Sequence, residues 1–167
     1  MTEAEFNGYF EDVATKLIDI SHNPENGQHR FATDEELING LKDKFDSETY
    51  ILSVIKEDGQ LSNLYSLANI VEGHNACFFI LKNNPDGGAN EVPTIHDEAM
   101  AVARKVVSKM LKDLKERNGI MTNLNPDRLQ FQKVGPICDL HYGWKVSFTL
   151  NLKSGCDYKY DQEDWIE

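Results

Sequence analysis

From Trp144 to Leu152 the sequence alternates without a break. Trp144, Val146, Phe148, Leu150 and Leu152 are apolar, and Lys145, Ser147, Thr149 and Asn151 between them are polar. Successive side chains of a β-strand point to opposite faces, so a period of two predicts a strand with one face on a core and the other on solvent. Strands of that kind belong to antiparallel sheets; parallel strands, covered on both faces, read as continuous apolar runs.

The remaining elements are legible around this strand. Phe6, Tyr9, Phe10, Val13, Leu17, Ile18 and Ile20 recur at spacings near three and four, which predicts an amphipathic helix over 3–20. Asn, Pro and Gly in the run Ser21–Gly27 end it. Thr33 and Glu36 fit a capping box, so a second helix is expected from Thr33, with Leu37, Ile38, Leu41 and Phe45 as its apolar stripe. Tyr50–Ile55 reads as a strand turned by Glu57-Asp58-Gly59. Residues 61–75 are ambiguous, with room for a short strand near 68–72. Ala76–Leu81 is a continuous apolar run and predicts a central strand. Residues 94–118 form the longest helix, with Ile95, Ala99, Val102, Ala103, Val106, Val107, Met110 and Leu114 on one face. Leu129–Val134 is a strand stopped by Gly135-Pro136.

Strands therefore pair around a long helix and do not alternate as β-α-β-α-β. The expected fold is α+β: an antiparallel sheet of four to five strands, one long helix packed on a face, and two N-terminal helices. A chain of 167 residues suits one domain. It divides into a helical arm over 1–30, an α+β core over 31–153 and an acidic aromatic tail over 154–167.

Composition excludes several classes of function. The formal charge is −11, from 17 basic and 28 acidic side chains. Such a chain repels nucleic acid and anionic membranes at long range. No run approaches 18 apolar residues, and Met1–Phe6 lacks the basic and apolar regions of a signal peptide, so a soluble, cytoplasmic protein is expected. Cys77, Cys138 and Cys156 are odd in number and widely spaced, which argues for reduced thiols.

Chemistry is hard to find. The five histidines, His22, His29, His74, His96 and His141, form neither HxxxH nor HExxH. Phosphate-loop, dinucleotide and nucleophile-elbow motifs are absent. Glu72, His74, Cys77 and His141 are the residues from which an enzyme site could be assembled, and only if the fold brings them together. No catalytic residue, cofactor or metal is therefore expected.

Charge distribution says more. Residues 104–117 hold six bases against two acids, a local +4, whereas residues 1–48 hold twelve acids and four bases. One reading is a solvated helix back. A second is a contact face on which Arg104, Lys105, Lys109 and Lys112 meet acids of a neighbouring copy, with Glu11 and Asp12 of the first helix, or Asp161 beside Trp165 of the tail, as the counterparts. Nucleic acid on this face is a third, disfavoured by the lack of interleaved aromatics and the repulsive remainder of the chain. Different but complementary patches on one chain suit head-to-tail contacts, which close into rings.

Four segments carry a family resemblance: Phe31–Leu37, Tyr50–Ile55, Val92–Asn118, and Gly135-Pro136 with Tyr142–Phe148. With this element order and size, residues 31–153 resemble the small α+β proteins of the tailed-phage neck and tail, especially tail-terminator and tail-completion proteins. The resemblance implies a non-enzymatic ring subunit at the head–tail junction or tail end, without cofactor. Its partners would be copies of itself and other virion proteins. A small acidic binding or inhibitor module, of the immunity-protein type, is the alternative.

Overall fold

The computed structural model describes residues 1–33, 49–62, 71–84, 87–137 and 140–153. Helix α1 spans Glu3–Lys16. Strands β1 (Phe31–Thr33), β2 (Ile51–Ser62) and β3 (Val71–Asn83) follow, then helix α2 (Val92–Glu116) and strands β4 (Leu124–Ile137) and β5 (His141–Lys153). The five described strands form one sheet in the order β1-β2-β3-β5-β4. β5 inserts between β3 and β4 and is antiparallel to both, so β3–α2–β4 is a split β-α-β crossover.

The α+β class stands, but the expected antiparallel sheet is corrected. The sheet is mixed, because β1 pairs parallel to β2, with Phe31 opposite Leu52 and Thr33 opposite Val54. The expectation of two N-terminal helices is corrected with it. Among the described residues one helix precedes the sheet, and Thr33, taken as a helix cap, belongs to β1. The rest of that expected helix lies outside the described residues. The physical reason is tertiary: the Leu52 amide donates to the Arg30 carbonyl at 3.0 Å, and Ala32 is fully buried. A four-residue local signal at Thr33 carried no sign of this pairing.

α1 begins on a capping box of its own. The Glu5 amide donates to Thr2 Oγ1 at 3.2 Å, and the Thr2 amide donates to Glu5 Oε2 at 2.7 Å. The helix ends earlier than its periodicity suggests, because Leu17 takes an extended conformation. Ile18, expected on the apolar stripe, is 90% exposed, while Ile20 is buried. The turn after it is pinned by His22, whose Nδ1 accepts from the Arg30 amide at 3.0 Å.

Both helices cover the same face of the sheet. Phe6 and Phe10 of α1 meet Phe78 of β3 and Phe148 of β5, with ring centroids 5.2 to 6.4 Å apart. All four rings are buried, and the valines and alanines of α2 close over them. Burying one such side chain stabilises by about 1.5–3 kcal/mol. That explains how a helix rich in valine, a mediocre helix former, stays helical.

Strand boundaries also depart from expectation. Asp58-Gly59 is not a turn. From Lys56 to Gly59 β2 advances three residues while β3 advances two, from Ala76 to His74, so the pair absorbs a bulge and continues to Ser62. Gly135-Pro136 does not stop β4 either, because a second bulge between Val134 and Ile137 takes up the extra residue. The run Ala76–Leu81 does lie in the central strand, β3. Residues 63–70, within the ambiguous stretch, lie outside the described set, and β3 begins at Val71.

Candidate contact surface

The alkaline-looking stretch of α2 runs along its outer side, and α1 lies against part of it. Arg104, Lys105 and Lys112 are exposed and Lys109 is half-buried. Three of the four already meet carboxylates of their own chain. Lys105 Nζ reaches Asp19 at 2.8 Å, Lys109 pairs with Asp113, and Lys112 lies 3.9 Å from Glu116. Arg104 has no such partner among the described residues. The local excess of positive charge is thus largely compensated within the chain.

Asp12 and two of these lysines do come together, but inside one molecule. Asp12, Lys105 and Lys109 line a small groove of about 140 Å³ between α1 and α2, floored by Val13, Leu17 and Val106. Asp12 itself bonds Lys16, 2.6 Å away on the next turn. Glu11 faces the other way, with Oε1 3.9 Å from Nε2 of the buried His22. Asp161 and Trp165 lie outside the described residues.

Asp113 is the electrostatic centre of this side. It is 1% exposed and accepts from the Tyr9 hydroxyl at 2.8 Å, from the Lys109 ammonium and, at 3.5 Å, from Asn118 Nδ2. Burial pushes its carboxyl up, yet the bonds from Lys109 and Tyr9 outweigh that and hold it below the usual carboxylate range. Tyr9 moves the opposite way: burial first, then the Asp113 carboxylate, raises its hydroxyl well above the ordinary tyrosine value. Lys109 also lies 5.8 Å from the Tyr9 ring centre. The sequence pattern placed Tyr9 only on an apolar stripe and counted Asp113 only as one acid among bases. An acid in the last turn of a helix, where the dipole disfavours it, was the available sign that a partner sits there.

The enzyme-site residues are not brought together. Glu72 and His74 share the face of β3 that α1 and α2 cover, with His74 Nε2 2.9 Å from Glu72 Oε1. Burial lowers the His74 pKa, and the Glu72 carboxylate offsets that only in part. Cys77 is on the opposite face, buried and unpaired, and burial raises its thiol to about 12. His141 pairs with Asn83 whereas His74 pairs with Leu150. Nine residues of extended strand separate the two histidines, roughly 30 Å. Among the described residues no group of three or more His, Cys, Asp or Glu side chains could hold a metal ion. Among them, too, no helix is long and apolar enough to cross a membrane.

The second outer feature is β4, the long edge of the sheet. Its stretch Gln130–Val134 pairs with Ser147–Gly143 of β5, and among the described residues nothing pairs with its other side. Bulges flank this stretch on both sides. Phe131 lies opposite Val146, on the helix-bearing face, but is 40% exposed. The sequence marked 129–134 as a strand but could not say that it is an edge, since edge position depends on strand order. Comparison with protein-family models and with curated proteins finds no match to this chain.

Proposed function

We propose that this chain is a non-enzymatic assembly subunit that works through contacts with further copies of itself and with other structural proteins. The observation that carries the reading is the outer edge of β4, on which no described strand pairs. A strand hydrogen-bonded on one side offers a row of N–H and C=O groups to another chain, and exposed Phe131 adds an apolar anchor. Proteins that avoid such pairing blunt their edges with prolines, lysines and bulges. Here those devices (Pro126, Pro136 and the two bulges) flank the stretch Gln130–Val134 and interrupt it only with Lys133.

The contact would use β4, and of the basic residues of α2 only Arg104 has no internal carboxylate among the described residues, since Lys105, Lys109 and Lys112 have counterparts. In its specific form the reading is a ring subunit of a phage or prophage neck or tail, made in the cytoplasm and carried into the virion. What supports that form is the resemblance of residues 31–153. Cofactors, nucleic acid and membranes have no part in it.

Size-exclusion chromatography with light scattering tests the proposal. The expected result is a mass that is a multiple of the chain mass at low salt, reduced to the monomer by Phe131→Asp. A strict monomer at every concentration and salt, with one tight and salt-sensitive partner, would instead establish the inhibitor or immunity-type module.

A further inference from the structure

Asn and Gly are poor strand residues, and a glycine inside a strand often marks where a ligand or another backbone comes close. On this sheet they collect in one place. Across the face turned away from both helices, Gly73 of β3 lies between Gln60 of β2 and Asn151 of β5. In the next row Asn75 of β3 lies opposite Thr149 of β5, which lies opposite Asn125 of β4. These residues, with Arg128, line a cleft of about 500 Å³. Local rules broken together at one site point to function more than to folding.

The chemistry of the lining is one-sided. Asn75 Oδ1 accepts from the Thr149 hydroxyl at 3.0 Å, and Asn125 Oδ1 accepts from the Asp127 amide at 3.1 Å. Both amide oxygens are therefore engaged, which leaves the two NH2 groups as donors for a ligand. Arg128 adds a guanidinium, carried into the site by the wide bulge between Asn125 and Gln130. Among the described residues no carboxylate lines the cleft itself, although Glu57 lines the smaller cavity that shares Asn75, Arg128 and Thr149 with it. A Cβ built on Gly73 would stand 3.5 Å from the Gln60 carbonyl and from Thr149 Cγ2, in ordinary contact, so a methyl would fit there without moving either strand.

We propose that this cleft is a binding site for a small hydroxyl-rich ligand bearing one anionic group, a sugar acid or a sugar phosphate. The amides of Asn75, Asn125 and Asn151 meet its oxygens, and Arg128 pairs with the carboxylate or phosphate. Two of the lining residues, Asn125 and Arg128, belong to β4 but precede its Gln130–Val134 stretch.

The test is amide chemical-shift titration of the full-length protein with glucuronate, glucose 6-phosphate, glucose, acetate and inorganic phosphate. Shifts should concentrate at Gly73, Asn75, Thr149 and Asn151 with either charged sugar, and the tighter of the two identifies the class. Arg128→Gln should weaken binding of the charged sugar by about tenfold or more and leave glucose unchanged. Gly73→Val, whose Cβ fits but whose methyls occupy the floor, should abolish the response. Glucose binding as tightly as the charged sugars, or acetate and phosphate alone reproducing their affinity, would overturn the proposal. So would a cleft that does not respond to any of the five up to their solubility limits.

Discussion

Asp113→Asn should destabilise the protein by about 1.5–3 kcal/mol at neutral pH, the range for a hydrogen bond to a charged group. The argument starts from geometry. Asp113 is buried, and its oxygens accept from Tyr9, Lys109 and Asn118. The asparagine can still accept from Tyr9 and Lys109, which share Oδ2, but it loses the negative charge that Lys109 pairs with, and its NH2 then faces Asn118 Nδ2, donor against donor. Because Tyr9 is on α1 and Asp113 on α2, the loss falls on the packing of one helix against the other. Tyr9→Phe should cost less, about 1 kcal/mol, and a double-mutant cycle should show coupling of the same order. The carboxyl of Asp113 is held below its ordinary value in the folded state. Its contribution is then complete above the unfolded pKa, roughly 3.9, and is lost as pH falls through the folded value. Urea denaturation should therefore show a constant gap between wild type and Asp113→Asn from pH 8 to about 5, closing below about 4. A gap under about 0.5 kcal/mol at pH 7, or one that widens in acid, would refute the reasoning. Lys105→Ala is the contrast: its 2.8 Å pair with Asp19 is exposed, and the change should fall within about 1 kcal/mol and shrink in salt.

Three further outcomes follow from individual contacts. Gly143→Ala places a Cβ 1.8 Å from the Ile80 carbonyl oxygen and 2.9 Å from its carbon, both backbone atoms of the adjacent strand. β3 and β5 must then separate, so a loss of about 3 kcal/mol or more is expected in thermal or urea unfolding, and a near-neutral effect would contradict the register. Cys77, with its thiol raised to about 12 by burial, should resist alkylation at pH 8 in a Cys138→Ser, Cys156→Ser background and react only on unfolding; rapid native-state labelling would contradict its burial. Phe131→Asp should cost about 1–2 kcal/mol in urea unfolding, since its ring is 40% exposed, while dispersing any oligomer, and a loss of about 3 kcal/mol or more would instead make Phe131 part of the core.

The sequence contains Thr-x-x-Glu twice among its first forty residues, at Thr2 and at Thr33. Thr2 and Glu5 close a capping box at the start of α1. Thr33 ends β1 beside Val54, and the other three residues of its motif lie outside the described residues. A four-residue motif says what its own residues can do and could not announce that Phe31–Thr33 pair with β2 and bury Ala32. Periodicity was dependable where a whole face was at stake: Val146, Phe148 and Leu150, then Ala76, Phe78 and Ile80, and the stripe of α2 from Ala99 to Met110 all lie in the core. It was blind to bulges, since one extra residue at Asp58-Gly59 or Gly135-Pro136 looks like a chain reversal until the partner strand is known. Both candidate sites are products of strand order. β4 is an edge only because β5 inserts beside β3. The amides of the cleft meet only because Gln60, Gly73 and Asn151 fall in one row, and a single-residue slip in register would turn them toward the helices. Asn75, Asn125 and Asn151 were visible as poor strand formers in strands, and that departure from propensity was the one trace of the cleft a reader of the sequence could have followed.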